Sequence, residues 1–171
     1  MIKPAAFLLI KTKLNAFKVL KSVKKLSLVK WASVVYGPYQ IVAYVEGNTD
    51  IEIAQYIEDL RSRKSITELD ARMVKVLPND EQIPALNISQ EKVAVLLINV
   101  NYREELERNV TYNLRKVEGI KLARAMWGPT DIIAIVEAQN AESMRNRICD
   151  DVKVMRGVKS NITLYCYPAT E

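Results

Sequence analysis

"WGPTDIIAIVEA", residues 127–138, decides how the rest of the chain is read, because nearly the same phrase, "YGPYQIVAYVEG", stands at residues 36–47. Gly, Pro, Ile, Ala, Val and Glu are shared at a constant offset of 91, and the differences are mostly apolar for apolar. A recurrence of that length points to an internal duplication. Working outward from each phrase gives one succession of elements twice. "AAFLLIKT" (5–12) is a continuous apolar run that suits a buried strand, and "LNAFKVLKSVKKL" (14–26) sets Phe17, Leu20, Val23 and Leu26 at helical spacing. "SLVKWASVVY" and "YQIVAYVE" are β-rich runs meeting at Gly37-Pro38, which reads as a hairpin. "TDIEIAQYIEDLRSR" is a second helix, opened by Thr49 and Glu52 at capping-box spacing, with Ile53, Tyr56, Ile57 and Leu60 as its buried stripe. "ELDARMVKVLP" closes the unit as a fourth strand. The second copy runs "VAVLLINV", "YREELERNVTYNLRKV", "GIKLARAMW", "TDIIAIVEA", "AESMRNRICDDVKVM" and "KSNITLYCYP" in the same order.

Strand, helix, strand, strand, helix, strand is the ferredoxin-like plan. The expected fold is therefore α+β, with two tandem ferredoxin-like βαββαβ units at 1–78 and 93–171 and a polar linker at 79–92. Each hairpin is expected to be a two-residue type II′ turn, glycine supplying the positive φ and proline its fixed φ. The outgoing strands carry apolar residues on both faces: Ile132, Ala134 and Val136 alternate with Ile133 and Ile135, and Ile41, Ala43 and Val45 with Val42 and Tyr44. A sheet with helices on one face only should present a polar second face to water. The two units are thus expected to pack sheet to sheet as a pseudo-dimer, or to pair with a neighbouring chain.

Composition narrows the chemistry. The 171 residues contain no histidine, which removes the commonest general base, a Ser-His-Asp triad, a histidine haem ligand and most zinc sites. Cys149 and Cys166 lack metal-like spacing and read as small packing residues. No metal and no cofactor is implied. The run "AAFLLI" is too short for a secretory core or a membrane span, so a cytoplasmic protein without a membrane association is expected. The net charge of +5 belongs to the first half, where residues 1–78 carry 13 basic and 7 acidic side chains. Lys18, Lys21 and Lys25 recur at helical spacing opposite the apolar stripe, which is the pattern of a solvated helix face. Direct nucleic-acid binding through that lysine-rich helix is the other use of such charge.

With its strand, G-x-x-D and following apolar strand, the unit resembles the ligand-binding (RAM) domain of the Lrp/AsnC, or feast/famine, transcription regulators. "GPTDIIAIVEA" carries the pattern, and "GPYQIVAYVEG" carries it with Gln40 in place of the acid. The resemblance implies a sensor that binds an amino acid or related small effector and forms homo-oligomers or associates with Lrp/AsnC-type regulators. It implies effector contacts from Gly128, Thr130 and Asp131, with Asp131 facing an ammonium group. Asn161 and Thr163 in the last strand join them, and Gly37, Tyr39 and Gln40 are the counterparts in the first copy. Those regulators carry a helix-turn-helix before this domain, whereas here the first strand begins by residue 5. The expectation is a non-enzymatic sensing or assembly module acting through partner proteins rather than by reading DNA. The competing expectation, from fold analogy, is a cofactor-poor enzyme of the dimeric α+β barrel class.

Overall fold

A computed structural model describes residues 2–82, 86–89, 91–103 and 105–168. The chain separates into two compact units, residues 1–74 with 80–85, and residues 75–79 with 86–171. Of the linker expected at 79–92, residues 83–85 and 90 lie outside the described residues.

The first unit runs β1 (Ala5–Lys11), α1 (Ala16–Lys24), β2 (Val29–Val34), β3 (Ile41–Glu46), α2 (Asp50–Arg61) and β4 (Glu68–Lys75), whose last residue groups with the second unit. Its strands lie in the order β2-β3-β1-β4, and β1 is antiparallel to both β3 and β4. The second unit runs β5 (Lys92–Val100), α3 (Glu107–Leu114), β6 (Ile120–Met126), β7 (Ile132–Ala138), α4 (Ala141–Asn146) and β8 (Val158–Tyr165), in the order β6-β7-β5-β8. Both are the βαββαβ topology the duplicated phrase predicts. Register follows the repeat as well, since Leu8 faces Ala43 and Leu96 faces Ala134 across the central pairs. A bulge also recurs at one place, between Val29 and Trp31 and between Ile120 and Leu122, so Lys30 and Lys121 are the extra residues.

The periodicity of α2 puts Ile53, Tyr56, Ile57 and Leu60 inside, as its spacing requires. Its start is closed by the Glu52 N–H donating to Thr49 Oγ1 at 3.1 Å, while the Glu52 carboxylate accepts from the Asn48 N–H at 2.6 Å. In the second unit, alternate residues of β5 and β7 (Leu96, Ile98, Ile132, Ala134, Val136) pack with Val110 and Leu114 of α3 and with Met144, Ile148 and Val152 beyond α4. Val95, Ile133 and Ile135 point to the opposite sheet face and are also fully buried, as is Phe7 in the first unit. Phe7 meets Tyr44 there with ring centroids 5.0 Å apart.

Three sequence expectations need correction. The hairpins are not two-residue turns: Val35 N–H donates to Gln40 O and Met126 N–H to Asp131 O, so each loop holds four residues. Gly37 and Gly128 still adopt the positive φ, 130° and 112°, that the loop needs. The helix expected over 102–117 is confined to Glu107–Leu114, because Asn101 turns the chain, accepting from the Arg103 N–H through its side chain and from the Glu105 N–H through its carbonyl. The last helix is α-helical only to Asn146 and continues as a π-helical turn over Arg147–Val152. Trp127, beside the second hairpin, is 61% exposed.

Candidate functional site at the second hairpin

Each hairpin is tied to the end of the neighbouring first strand of its unit. In the first unit the Gln40 N–H donates to Ile10 O at 2.9 Å, and Gln40 Oε1 accepts the Thr12 N–H at 3.0 Å. In the second the Asp131 N–H donates to Ile98 O at 3.2 Å, and Asp131 Oδ2 accepts the Val100 N–H at 2.9 Å. The amide and the carboxylate do the same work, offering an oxygen to a backbone donor where the strand ladder ends.

What surrounds that shared lock differs. Tyr39 in the first unit donates to Asp70 Oδ2 at 3.3 Å, and Asp70 is gripped by Arg72 through Nε–Oδ1 at 2.8 Å and Nη2–Oδ2 at 2.6 Å. The bond to Arg72 holds the Asp70 carboxyl below the usual range, against the opposing effect of burial. Burial first, then the Asp70 charge, raises the Tyr39 phenol. Lys11, ion-paired with Glu68 at 3.0 Å, lies 5.5 Å from the Tyr39 ring centre.

In the second unit the free oxygen of Asp131 accepts from the Tyr102 hydroxyl at 2.8 Å, and Glu107 Oε2 lies 3.1 Å from the same hydroxyl. A phenol carries one proton, so the two carboxylates share a single donor. Removing that proton would place a third negative charge between them. Desolvation, the bond to Asp131 and the Glu107 charge accordingly push the Tyr102 phenol far above its ordinary value. Glu107 itself is buried, and Lys75 completes its shell at 2.7 Å. The same ammonium sits 4.3 Å from the centre of the exposed Trp127 ring.

The predicted residues are thus only partly together. Gly128, Thr130 and Asp131 share the hairpin, with Thr130 buried and Asp131 committed through both oxygens. Asn161 and Thr163 lie on β8, opposite Ile98 and Leu96, so β5 stands between them and the hairpin strand β7. Two strand spacings amount to about 10 Å. Asn161 Nδ2 donates instead to Thr163 Oγ1 at 3.0 Å. Gly37, Tyr39 and Gln40 stay together at the first hairpin. Two clefts are lined by other residues: Leu14, Asn15, Lys18, Val19, Ser22 and Ser65 in the first unit, and a group around Arg147 in the second.

Sequence reasoning missed Tyr102, Glu107 and Lys75, which carry no periodic or motif signal, and two glutamates that do. Glu46 and Glu137 end the duplicated phrase and are buried. Glu46 accepts from Tyr44 Oη at 3.0 Å and from Gln82 Nε2 at 3.0 Å, while Glu137 accepts from the Ser89 N–H at 2.9 Å. An invariant acid closing two apolar strands was the available signal.

No known family's sequence profile matches the chain, and no curated protein does. Solved structures do resemble it in fold. A siroheme decarboxylase, NirDL, aligns over 95% of this chain and 70% of its own with a TM-score of 0.67 at 8% identity. A putative chlorite dismutase aligns over 98% and 95% at 0.63 and 7% identity, and an anthrone oxidase-like protein over 99% and 92% at 0.59 and 9% identity. At such identities the likeness establishes the ferredoxin-like α+β fold and nothing about chemistry. It does overturn the expectation that the chain is not an enzyme, because a fold shared with a decarboxylase offers no ground for excluding catalysis. Among the described residues, no helix is long and apolar enough to cross a membrane, and no group of three or more Cys, Asp or Glu side chains is placed to hold a metal ion.

Proposed function

We propose that the chain is a small-molecule-sensing module of the Lrp/AsnC effector-domain type, in which the second unit takes an amino-acid-like effector and a partner protein reads the result. The observation that carries the proposal is the asymmetry of the hairpins. Both have the same backbone lock and charged neighbours, but only in the second is the locking side chain itself ionic and part of the network, with Tyr102 between Asp131 and Glu107 and exposed Trp127 above Lys75. An effector ammonium competing for Asp131 would release Tyr102, and Gly128 and Thr130 would be its neighbours. That release would alter a face where Tyr102, Leu106 and Trp127 are more than half exposed. The two units, in the same proposal, pair through their helix-free sheet faces, which supplies cover for Phe7, Tyr44, Ile133 and Ile135. A monomer by sedimentation would support pairing within the chain, and an obligate dimer would support pairing between chains.

Thermal unfolding with each common L-amino acid in turn tests the sensing proposal. A saturable rise in Tm for at least one, lost in Asp131→Asn and kept or enlarged in Tyr102→Phe, which removes the competing hydroxyl, is expected. No rise for any of them removes it.

Catalysis in the second unit is the other reading, favoured by the phenol whose single proton two carboxylates share, a hydrogen-bond donor that a substrate oxygen could compete for. The structural relative named as a siroheme decarboxylase supplies a first substrate to try. Carbon dioxide release that Tyr102→Phe abolishes would favour this reading, and no release would count against siroheme as its substrate.

A further inference from the structure

We infer that the second unit holds a binding site for a small carboxylate anion, at the end of β7 away from the hairpin, with Arg147 as the anion-binding group and Glu118 as a removable internal stand-in for the ligand. The cleft measures about 420 Å³ and is lined by Glu118, Gly119, Lys121, Glu137, Ser143 and Arg147, among others. That is the lower end of the range for small-molecule sites, about 300–1,000 Å³.

Three local departures from regular structure meet there. The π-helical turn begins at Arg147, and such turns often mark functional sites. The bulge in β6 makes Lys121 the extra residue, and its ammonium lies 3.4 Å from Glu137 Oε1. Gly119 has φ +85°, and a Cβ on it would come within 2.5 Å of Arg147 Nη1 and 2.4 Å of Glu137 O. Only a glycine leaves the guanidinium its seat. The first unit has no such seat: seven residues past its N-cap, where the second unit has Arg147, α2 carries Tyr56, a buried phenol bonded to Val23 O.

Arg147 is held and yet available. One arm of its guanidinium donates to the Glu137 carbonyl, and the other lies 3.3 Å from Glu118 Oε1. The arginine side chain is 18% exposed, whereas the Glu118 side chain is 89% exposed. An exposed partner contributes little to such a pair, so a free carboxylate can displace it and take the planar fork. Ser143 supplies a further donor, and Lys121 offsets the Glu137 charge that would otherwise repel an anion.

The site goes beyond the hairpin proposal and is tested separately on the full chain. Lactate, succinate and N-acetylglycylglycine are titrated while backbone amide NMR shifts are followed, with lactamide as the neutral control. Shifts are expected at Gly119, Lys121 and Ser143 with at least one carboxylate and none with lactamide. Lactate or succinate alone would identify a free acid, and the capped dipeptide alone a peptide C-terminus. Arg147→Gln should weaken binding at least tenfold, and Glu118→Gln, at an exposed position, should tighten it about two- to fivefold. Shifts only at Gly128–Asp131 would overturn this site while leaving the hairpin proposal standing. Absence of shifts, equal binding of lactamide, or weaker binding in Glu118→Gln would each overturn it as well.

Discussion

Asp131 and Gln40 show how one position can keep its mechanical task while its chemistry changes. Each offers an oxygen to a backbone N–H at the end of the neighbouring strand, Val100 in one unit and Thr12 in the other. Leaving the buried Val100 N–H without an acceptor costs about 1–3 kcal/mol. Asp131→Ala should therefore lower Tm by several degrees, at roughly 2–4 °C per kcal/mol for a chain of this size. Asp131→Asn keeps a carbonyl oxygen, as Gln40 does, and should lose less than half as much. Equal losses in the two variants would show that charge, not the acceptor, matters. Asp70 adds a pH dependence. Its carboxyl is held below the ordinary 3.8 by Arg72, so its stabilisation is complete above that value and is lost as pH falls through the depressed one. Acid unfolding of Asp70→Asn, followed by circular dichroism, should accordingly lose less stability than wild type below pH 4.

Among the elements, the helix starts differ in a way that can be measured. Asn15, Thr49 and Asn140 cap α1, α2 and α4 with side-chain oxygens, whereas Leu106 at the start of α3 has no side-chain cap. Thr49→Ala should cost about 1 kcal/mol. Leu106→Ser should stabilise by about 0.5–1 kcal/mol, since Leu106 is half exposed and its backbone is already extended. A fall in Tm for Leu106→Ser would assign the leucine a packing role that its exposure conceals. Helices were legible where a cap and a stripe coincide, as in α2. They were misjudged where the stripe runs past the local turn chemistry, as at Asn101 before α3. The π-helical turn after α4 left no mark in the apolar pattern, because Met144, Ile148 and Val152 recur at a spacing an α-helix also accommodates.

For the molecule as a whole, one buried phenol contributes to the alkaline limit. Burial raises Tyr56 to about 12. A group whose folded value is raised gives stability that is full below its ordinary 10.0 and is lost as pH climbs to the folded value. Unfolding followed by circular dichroism between pH 10 and 12 should thus be delayed in Tyr56→Phe, which cannot ionise, and an unchanged transition would place the alkaline limit elsewhere. The sequence by itself determined the duplication, the order of elements and the apolar strand faces, because hydrophobic periodicity and a repeated turn are local properties. Only the tertiary structure decided that Asp131 is spoken for by Val100 and Tyr102. The same holds for the separation of Asn161 from the hairpin by a strand, and for the meeting of Arg147, Lys121 and Gly119 around a cleft. Those facts depend on which side chains distant in the chain come to share one oxygen or one space, and no spacing along the chain encodes that.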